Sequence, residues 1–156
     1  MRAADLEETA LRVLGGARQL DMPSRCCRVC GSLALDGLYS HEICLICDWH
    51  EDGSNGGGCA DCGPHYGVSF EEAKEHFRCY LTSRNPAEGQ RFLRALPLRS
   101  LKSEFLALQR LLGRSAPRDI AQSARIYESM CEVLQQIRRT GVPAASLQQQ
   151  CRPRYN

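Results

Sequence analysis

Cys27-Arg-Val-Cys30-Gly31, Cys44-Leu-Ile-Cys47-Asp48 and Cys59-Ala-Asp-Cys62-Gly63 are the three stretches that decide the reading of this 156-residue chain. Two thiolates separated by two residues can grip one metal ion from a tight turn. A small residue after the second cysteine lets backbone N–H groups turn back toward the sulfurs. Two such turns supply the four thiolates of a tetrahedral zinc site. The first expectation is therefore a domain nucleated by zinc.

Composition narrows the setting. The start, MRAADLEETALRVL, has no basic stretch followed by an apolar run, so it does not read as a signal peptide. No apolar run reaches the roughly 18 residues that a membrane helix needs. The expectation is a soluble, cytoplasmic protein, in which the ten cysteines serve metal binding more readily than disulfides. The net charge of +2 hides a polarity. Residues 1–83 carry seven Lys/Arg against thirteen Asp/Glu, a balance of −6, and residues 84–156 carry thirteen against five, a balance of +8.

Working outward from the cysteines, four segments are expected. Residues 1–23 hold an amphipathic helix over 4–20, with Leu6, Ala10, Val13, Leu14, Ala17 and Leu20 on one face, weakened by Gly15-Gly16. Residues 24–84 form the cysteine-rich zinc-binding domain. Within it Leu33, Leu35 and Tyr39 alternate, which suggests a hairpin turning at Asp36-Gly37. Gly53–Gly58 reads as a loop. Ser69-Phe-Glu-Glu72 is a capping box that opens a helix with Phe70, Ala73, Phe77 and Leu81 inward.

Residues 85–145 are helical. A short helix over 87–96 is closed by Pro97. Leu98, Leu101, Phe105, Leu108 and Leu112 define a helix that Gly113 stops. Ser115-Ala-Pro117 opens a long helix to about Thr140, with Ile120, Ala124, Tyr127, Cys131, Leu134 and Ile137 on one face. The two make an αα-hairpin. Residues 146–156 are expected to be a flexible tail. The fold class is thus α+β, mostly α: a small zinc-stapled hairpin and knuckle domain, flanked by an N-terminal helix and a C-terminal αα-hairpin.

The segment from Cys27 to Phe77 resembles the bacterial cysteine-rich CPCC family. That family's pattern is Cys-Pro-Cys-Cys-Gly, then Ile-Cys-Pro-Val-Cys-x-Trp-Glu-Asp-Asp-Gly, then Gly-x-Asn and Ser-Leu-x-Glu-Ala-Arg-x-Asn-Phe. Here the corresponding residues are Cys27-Arg-Val-Cys30-Gly31, Ile43-Cys-Leu-Ile-Cys47-Asp-Trp49-His-Glu-Asp-Gly53, Gly63-Pro-His-Tyr-Gly-Val68, and Ser69-Phe-Glu-Glu-Ala-Lys-Glu-His-Phe77. The match covers about a third of the chain. It departs at Val29, where the family has a cysteine, at His50, where Glu is usual, and in the additional Cys59/Cys62 pair.

The resemblance implies a zinc-ribbon-like site made of Cys27, Cys30, Cys44 and Cys47. Rival sets use Cys59/Cys62 with either of the other pairs. A second zinc would draw on Cys59, Cys62, His65 and Cys26, with His41, His50 and Cys79 as further candidates. Cys79, Cys131 and Cys151 otherwise read as ordinary residues, Cys131 as core filler on a helix face.

The chain carries few signs of catalysis. The zinc-deaminase pattern, a phosphate-cradling glycine loop ending in Gly-Lys-Ser/Thr and a nucleophile elbow are all missing, and four thiolates leave a zinc no open position. No enzyme and no small-molecule substrate are expected. The main expectation is a protein-interaction module that presents Asp48, Trp49, Glu51, Asp52 and Asp61 to a basic partner. Trp49 itself reads first as a core residue packed over the zinc knuckle, and second as part of that surface. Some members of the resembled family look like proteins encoded beside secreted toxins, which implies an immunity protein covering a basic toxin domain, such as a nuclease. The alternative is a nucleic-acid binder, with Arg91, Arg94, Arg99, Lys102, Arg110, Arg114, Arg118, Arg125, Arg138 and Arg139 against phosphates.

Overall fold

The computed structural model describes residues 2–38, 42–51, 68–84, 96–115 and 119–140. Among the described residues eight elements follow in order: α1 (Ala3–Val13), β1 (Arg25–Cys26), β2 (Leu33–Leu35), β3 (Glu42–Ile43), β4 (His50–Glu51), α2 (Phe70–Tyr80), α3 (Leu96–Ser115) and α4 (Ile120–Thr140). The fold is α+β and mostly α, with two small antiparallel hairpins.

The first helix is shorter than its periodicity suggests. Leu6, Thr9 and Ala10 are buried, and Glu8 pairs with Arg12 one turn on. The helix then stops at Val13, because Gly15 and Gly16 swing to φ +73° and +88° and the N–H of Gly16 closes onto the carbonyl of Leu11 at 2.7 Å. Glycine enters this left-handed region without steric cost, so the pair ends the helix rather than weakening it.

The hairpins differ from the expected one. β2 pairs back with β1, Arg25 opposite Leu35 and Cys26 opposite Leu33 with a bulge between, while β3 pairs with β4, Glu42 opposite Glu51 and Ile43 opposite His50. Each hairpin therefore encloses one Cys-x-x-Cys turn, and Asp36-Gly37 is not a hairpin turn. Leu33, Ala34 and Leu35 are all buried, so the alternation read from the sequence does not mark an inner and an outer face.

α2 begins where the capping box places it. Ser69 accepts from the N–H of Glu72 at 3.3 Å, and the Glu72 carboxylate accepts from the N–H of Ser69 at 2.8 Å. Of its expected inner residues, Ala73 is buried, and Phe70, Phe77 and Leu81 are partly covered. Leu81 ends the helix at φ +57°.

The C-terminal helices form the expected αα-hairpin with shifted ends. α3 starts at Leu96, with Pro97 in its first turn, where the missing N–H costs nothing. It runs through Gly113 to Ser115: a glycine inside a helix costs only about 1 kcal/mol against alanine, and packing outweighs that. α4 is capped by Asp119, which accepts from the N–H of Gln122 at 2.9 Å through its side chain and from that of Ser123 at 3.0 Å through its carbonyl. Its buried face is Ser123, Tyr127, Met130, Val133, Leu134 and Ile137, whereas Ile120 is exposed and Cys131 is partly covered.

One core joins these parts. Leu6 and Ala10 of α1, Leu33 and Leu35 of β2, Ile46 and Trp49 of the second cysteine turn, Phe105 and Leu112 of α3, and Tyr127 and Met130 of α4 belong to one buried cluster. The Tyr127 hydroxyl donates to the Pro23 carbonyl at 2.6 Å, which pins the chain entering β1 to α4. The cysteine turns and the helical hairpin thus share an interior. The Gly53–Gly58 loop, the 87–95 part of the expected short helix and the 146–156 tail lie outside the described residues.

Candidate metal centre

The two cysteine turns are copies of one another. In the first, the N–H of Gly31 donates to the Cys27 carbonyl at 2.9 Å and the N–H of Cys27 to the Ser32 carbonyl at 2.9 Å. In the second, the N–H of Asp48 donates to the Cys44 carbonyl and the N–H of Cys44 to the Trp49 carbonyl, both at 2.8 Å. Each turn is closed by a residue in the left-handed region, Gly31 at φ +69° and Asp48 at φ +66°. Aspartate is among the few non-glycine residues that reach this conformation readily.

The turns face each other and bring four sulfurs together. Cys27 Sγ lies 3.6 Å from Cys47 Sγ, and Cys30 Sγ lies 3.6 Å from Cys44 Sγ. All four sulfurs lie within 4.8 Å of one another. A tetrahedron of thiolates with zinc–sulfur bonds of about 2.3 Å has edges of about 3.8 Å. The cluster therefore fits a metal ion of that size, and tetrahedral four-sulfur sites are the type that zinc or iron occupies. Cys44 and Cys47 are fully buried, Cys27 nearly so, and Cys30 is the one sulfur residue partly open to solvent.

The electrostatics of the cluster favour a cation at its centre. Burial pushes the Cys44 and Cys47 thiols well above the ordinary thiol range. Hydrogen bonds from Cys30, Cys44 and Cys47 hold Cys27 far below it. A divalent cation at the centre would take up the negative charge of coordinating thiolates in this buried space.

Other expected ligands are placed elsewhere. Cys26 points away from the cluster: its Sγ donates to the Ala3 carbonyl at 3.7 Å, and burial pushes its pKa to about 12, which keeps it a neutral thiol on the α1 side. Cys79 is exposed on α2 beside Glu75. His50 lies in β4 and is not in the cluster. His41, Cys59, Cys62, His65 and Cys151 lie outside the described residues.

Of the expected partner surface, two of the three described residues are turned inward. Trp49 and Glu51 are each only 4% exposed, so neither is presented on an open turn. Trp49 meets Phe70 edge to face at 5.8 Å and belongs to the buried cluster. Glu51 accepts from Arg28 Nε at 2.7 Å. Asp48 accepts from Thr82 Oγ1 at 3.2 Å and from Lys102 Nζ at 3.4 Å. The sequence offers these acids to a partner; here Glu51 and Asp48 balance cations from Arg28 and α3. Asp52 and Asp61 lie outside the described residues.

Sequence reasoning missed these cations and one amide. Arg28 of the first turn meets Glu51 beyond the second, and Arg25 of β1 meets Glu42 of β3 at 3.3 Å, so the hairpins are tied by charge as well as by sulfur. Lys102, read as a phosphate contact, is 3% exposed and sits on Asp48. Gln109, two turns further along α3, accepts from the N–H of Leu33 at 2.7 Å and donates to the Gly31 carbonyl at 3.1 Å. The only signal for either was position: residues 102 and 109 lie on the same helix face as the apolar Leu98, Phe105 and Leu112.

Comparison with known proteins returns no match, whether against protein families, curated proteins or solved structures. The class that the fold and the site define is a helical scaffold around a four-cysteine cluster able to bind a metal. No described helix is long and apolar enough to cross a membrane.

Proposed function

We propose that the protein is a non-catalytic zinc-binding module that works by binding another protein, and that its partner is a basic toxin domain which it covers as an immunity protein. The observation that carries the non-catalytic part is the closed set of four cysteine sulfurs. Four thiolates fill the tetrahedron of zinc and leave no position for water or substrate. Such an ion supplies folding free energy rather than chemistry.

The partner reading rests on charge and on the sequence resemblance to the CPCC family. The first half of the chain has a balance of −6, and four thiolates around a divalent ion add a formal −2 to a region where Arg25 and Arg28 are already spent on Glu42 and Glu51. A rigid acidic body of this kind suits a basic cleft. Because Trp49 and Glu51 are buried, the contact must use acids outside that pair. Among the described residues, Glu71, Glu72 and Glu75 of α2 are exposed.

One observation favours a second reading, nucleic-acid binding. Arg99, Arg110, Arg114, Arg125, Arg138 and Arg139 are all exposed on α3 and α4. Glu104, Glu128 and Glu132 are exposed among them, which weakens any phosphate-binding stripe. A titration with duplex DNA and RNA at increasing salt separates the readings. The immunity reading expects weak binding at physiological salt, alongside capture of a basic protein from the native host. Tight nucleic-acid binding that falls steeply with salt would replace it.

A further inference from the structure

We propose that α3 is clamped to both metal-binding turns by single polar side chains, so that metal loading and docking of the α3–α4 hairpin are one coupled equilibrium. The inference rests on the zinc reading above and extends it from the ligands to the helices. The two clamps are Gln109 on the first turn and Lys102 on the second, seven residues apart on one face of α3, with the fully buried Phe105 between them.

The clamps grip groups whose placement depends on the folded turns. Gln109 bonds the Gly31 carbonyl and the Leu33 N–H, the backbone groups just past Cys30. Gly31 is held at φ +69° by its own bond back to Cys27. Lys102 meets Asp48, whose carboxylate is aimed by its left-handed backbone and by the bond from its N–H to the Cys44 carbonyl. If the turns open on losing the ion, Gln109 loses both partners and the buried Lys102 loses its carboxylate. A buried ammonium without a counter-charge is among the costliest groups a protein interior can hold, so α3 must move to hydrate it.

The coupling is reciprocal. Whatever zinc contributes to docking α3, the docked α3 contributes to zinc affinity, although neither Lys102 nor Gln109 is a ligand. The side chain beside them on the outer face, Arg110, is exposed and serves as the control.

The test uses the full chain. Zinc affinity is measured by competition with a chromophoric chelator for the wild type, Lys102→Met, Gln109→Ala and Arg110→Ala, and amide hydrogen exchange is followed along α3 and α4 with and without zinc. The expected result is a loss of zinc affinity of about 5- to 150-fold in the first two variants, the range usual for coupled sites, with Arg110→Ala unchanged. Wild-type α3 amides are expected to exchange faster once zinc is removed. If either clamp variant fails to fold, the exchange measurement on the wild type decides alone. Zinc binding with α3 exchange unaltered by its removal would overturn the coupling and leave the zinc reading standing. A chain that binds no zinc would overturn both.

Discussion

Gly31 and Asp48 hold the same place in two turns closed by like hydrogen bonds: each follows the second cysteine of its pair, each sits near φ +70°, and each returns its N–H to the carbonyl of the first cysteine. The chemistry at that place differs. Glycine is there for its backbone alone. Aspartate accepts the same backbone and adds a carboxylate that anchors Lys102 of α3.

That difference predicts unequal responses to mutation. Gly31→Ala meets no atom within 4 Å, so its cost is conformational, about 1–2 kcal/mol for a Cβ in the left-handed region. Gly31→Asn should cost less, because asparagine visits that region. Urea unfolding of the metal-loaded protein measures both, and equal costs for the two variants would contradict the assignment.

Asp48→Ala removes the counter-charge from a nearly buried Lys102, and it also loses the backbone preference. Its expected cost is about 3 kcal/mol, at the low end of the range for breaking a buried pair, since Asp48 itself stays partly in solvent. Lys102→Met leaves only the Asp48 carboxylate, which keeps the Thr82 hydroxyl and is partly in solvent, and should cost clearly less. Equilibrium unfolding of the two variants checks the order, and a larger loss for Lys102→Met would show that the ammonium is not the group at risk.

Glu42 provides a pH signature. Burial, followed by the hydrogen bond and charge of Asp36, pushes its pKa from 4.5 to about 7, against the pull of the Gly37 N–H and Arg25. The folded state thus holds the proton more tightly than the unfolded chain. The stability this gives is fully present below about pH 4.5 and is lost as pH rises through about 7. Glu42→Gln keeps a neutral acceptor for the N–H groups of Asp36 and Gly37 and removes the titration. Relative to the wild type, this variant should gain stability between about pH 5 and pH 8. Unfolding midpoints across that range are the measurement, and a constant difference between the two proteins would refute the shift.

Much of this architecture is legible in the residues themselves. Cys-x-x-Cys spacing specifies a local turn, Ser69 and Glu72 specify a helix start within four residues, and the apolar period from Leu98 to Leu112 specifies a helix face. The missed features depend on distance or on packing. Strands two residues long, such as β1 and β3, carry no periodic signal, so the pairing of β1 with β2 around Cys27–Cys30 could not be read. Gly113 resembles a helix stop and is carried through by packing. Glu51 and Lys102 look like solvent-facing charges because their partners, Arg28 and Asp48, are 23 and 54 residues away in sequence. The acidic turn after Cys47 resembles an open surface for the same reason.

The central claim is that Cys27, Cys30, Cys44 and Cys47 hold one zinc ion on which the fold depends. Native mass spectrometry of the full chain, before and after chelation and for Cys44→Ser, tests it most directly. The account predicts that the wild-type protein carries at least one zinc, that Cys44→Ser loses it, and that the freed chain shifts to the high charge states of an opened structure. A metal-free wild-type protein with the compact charge-state distribution of the folded state would contradict it.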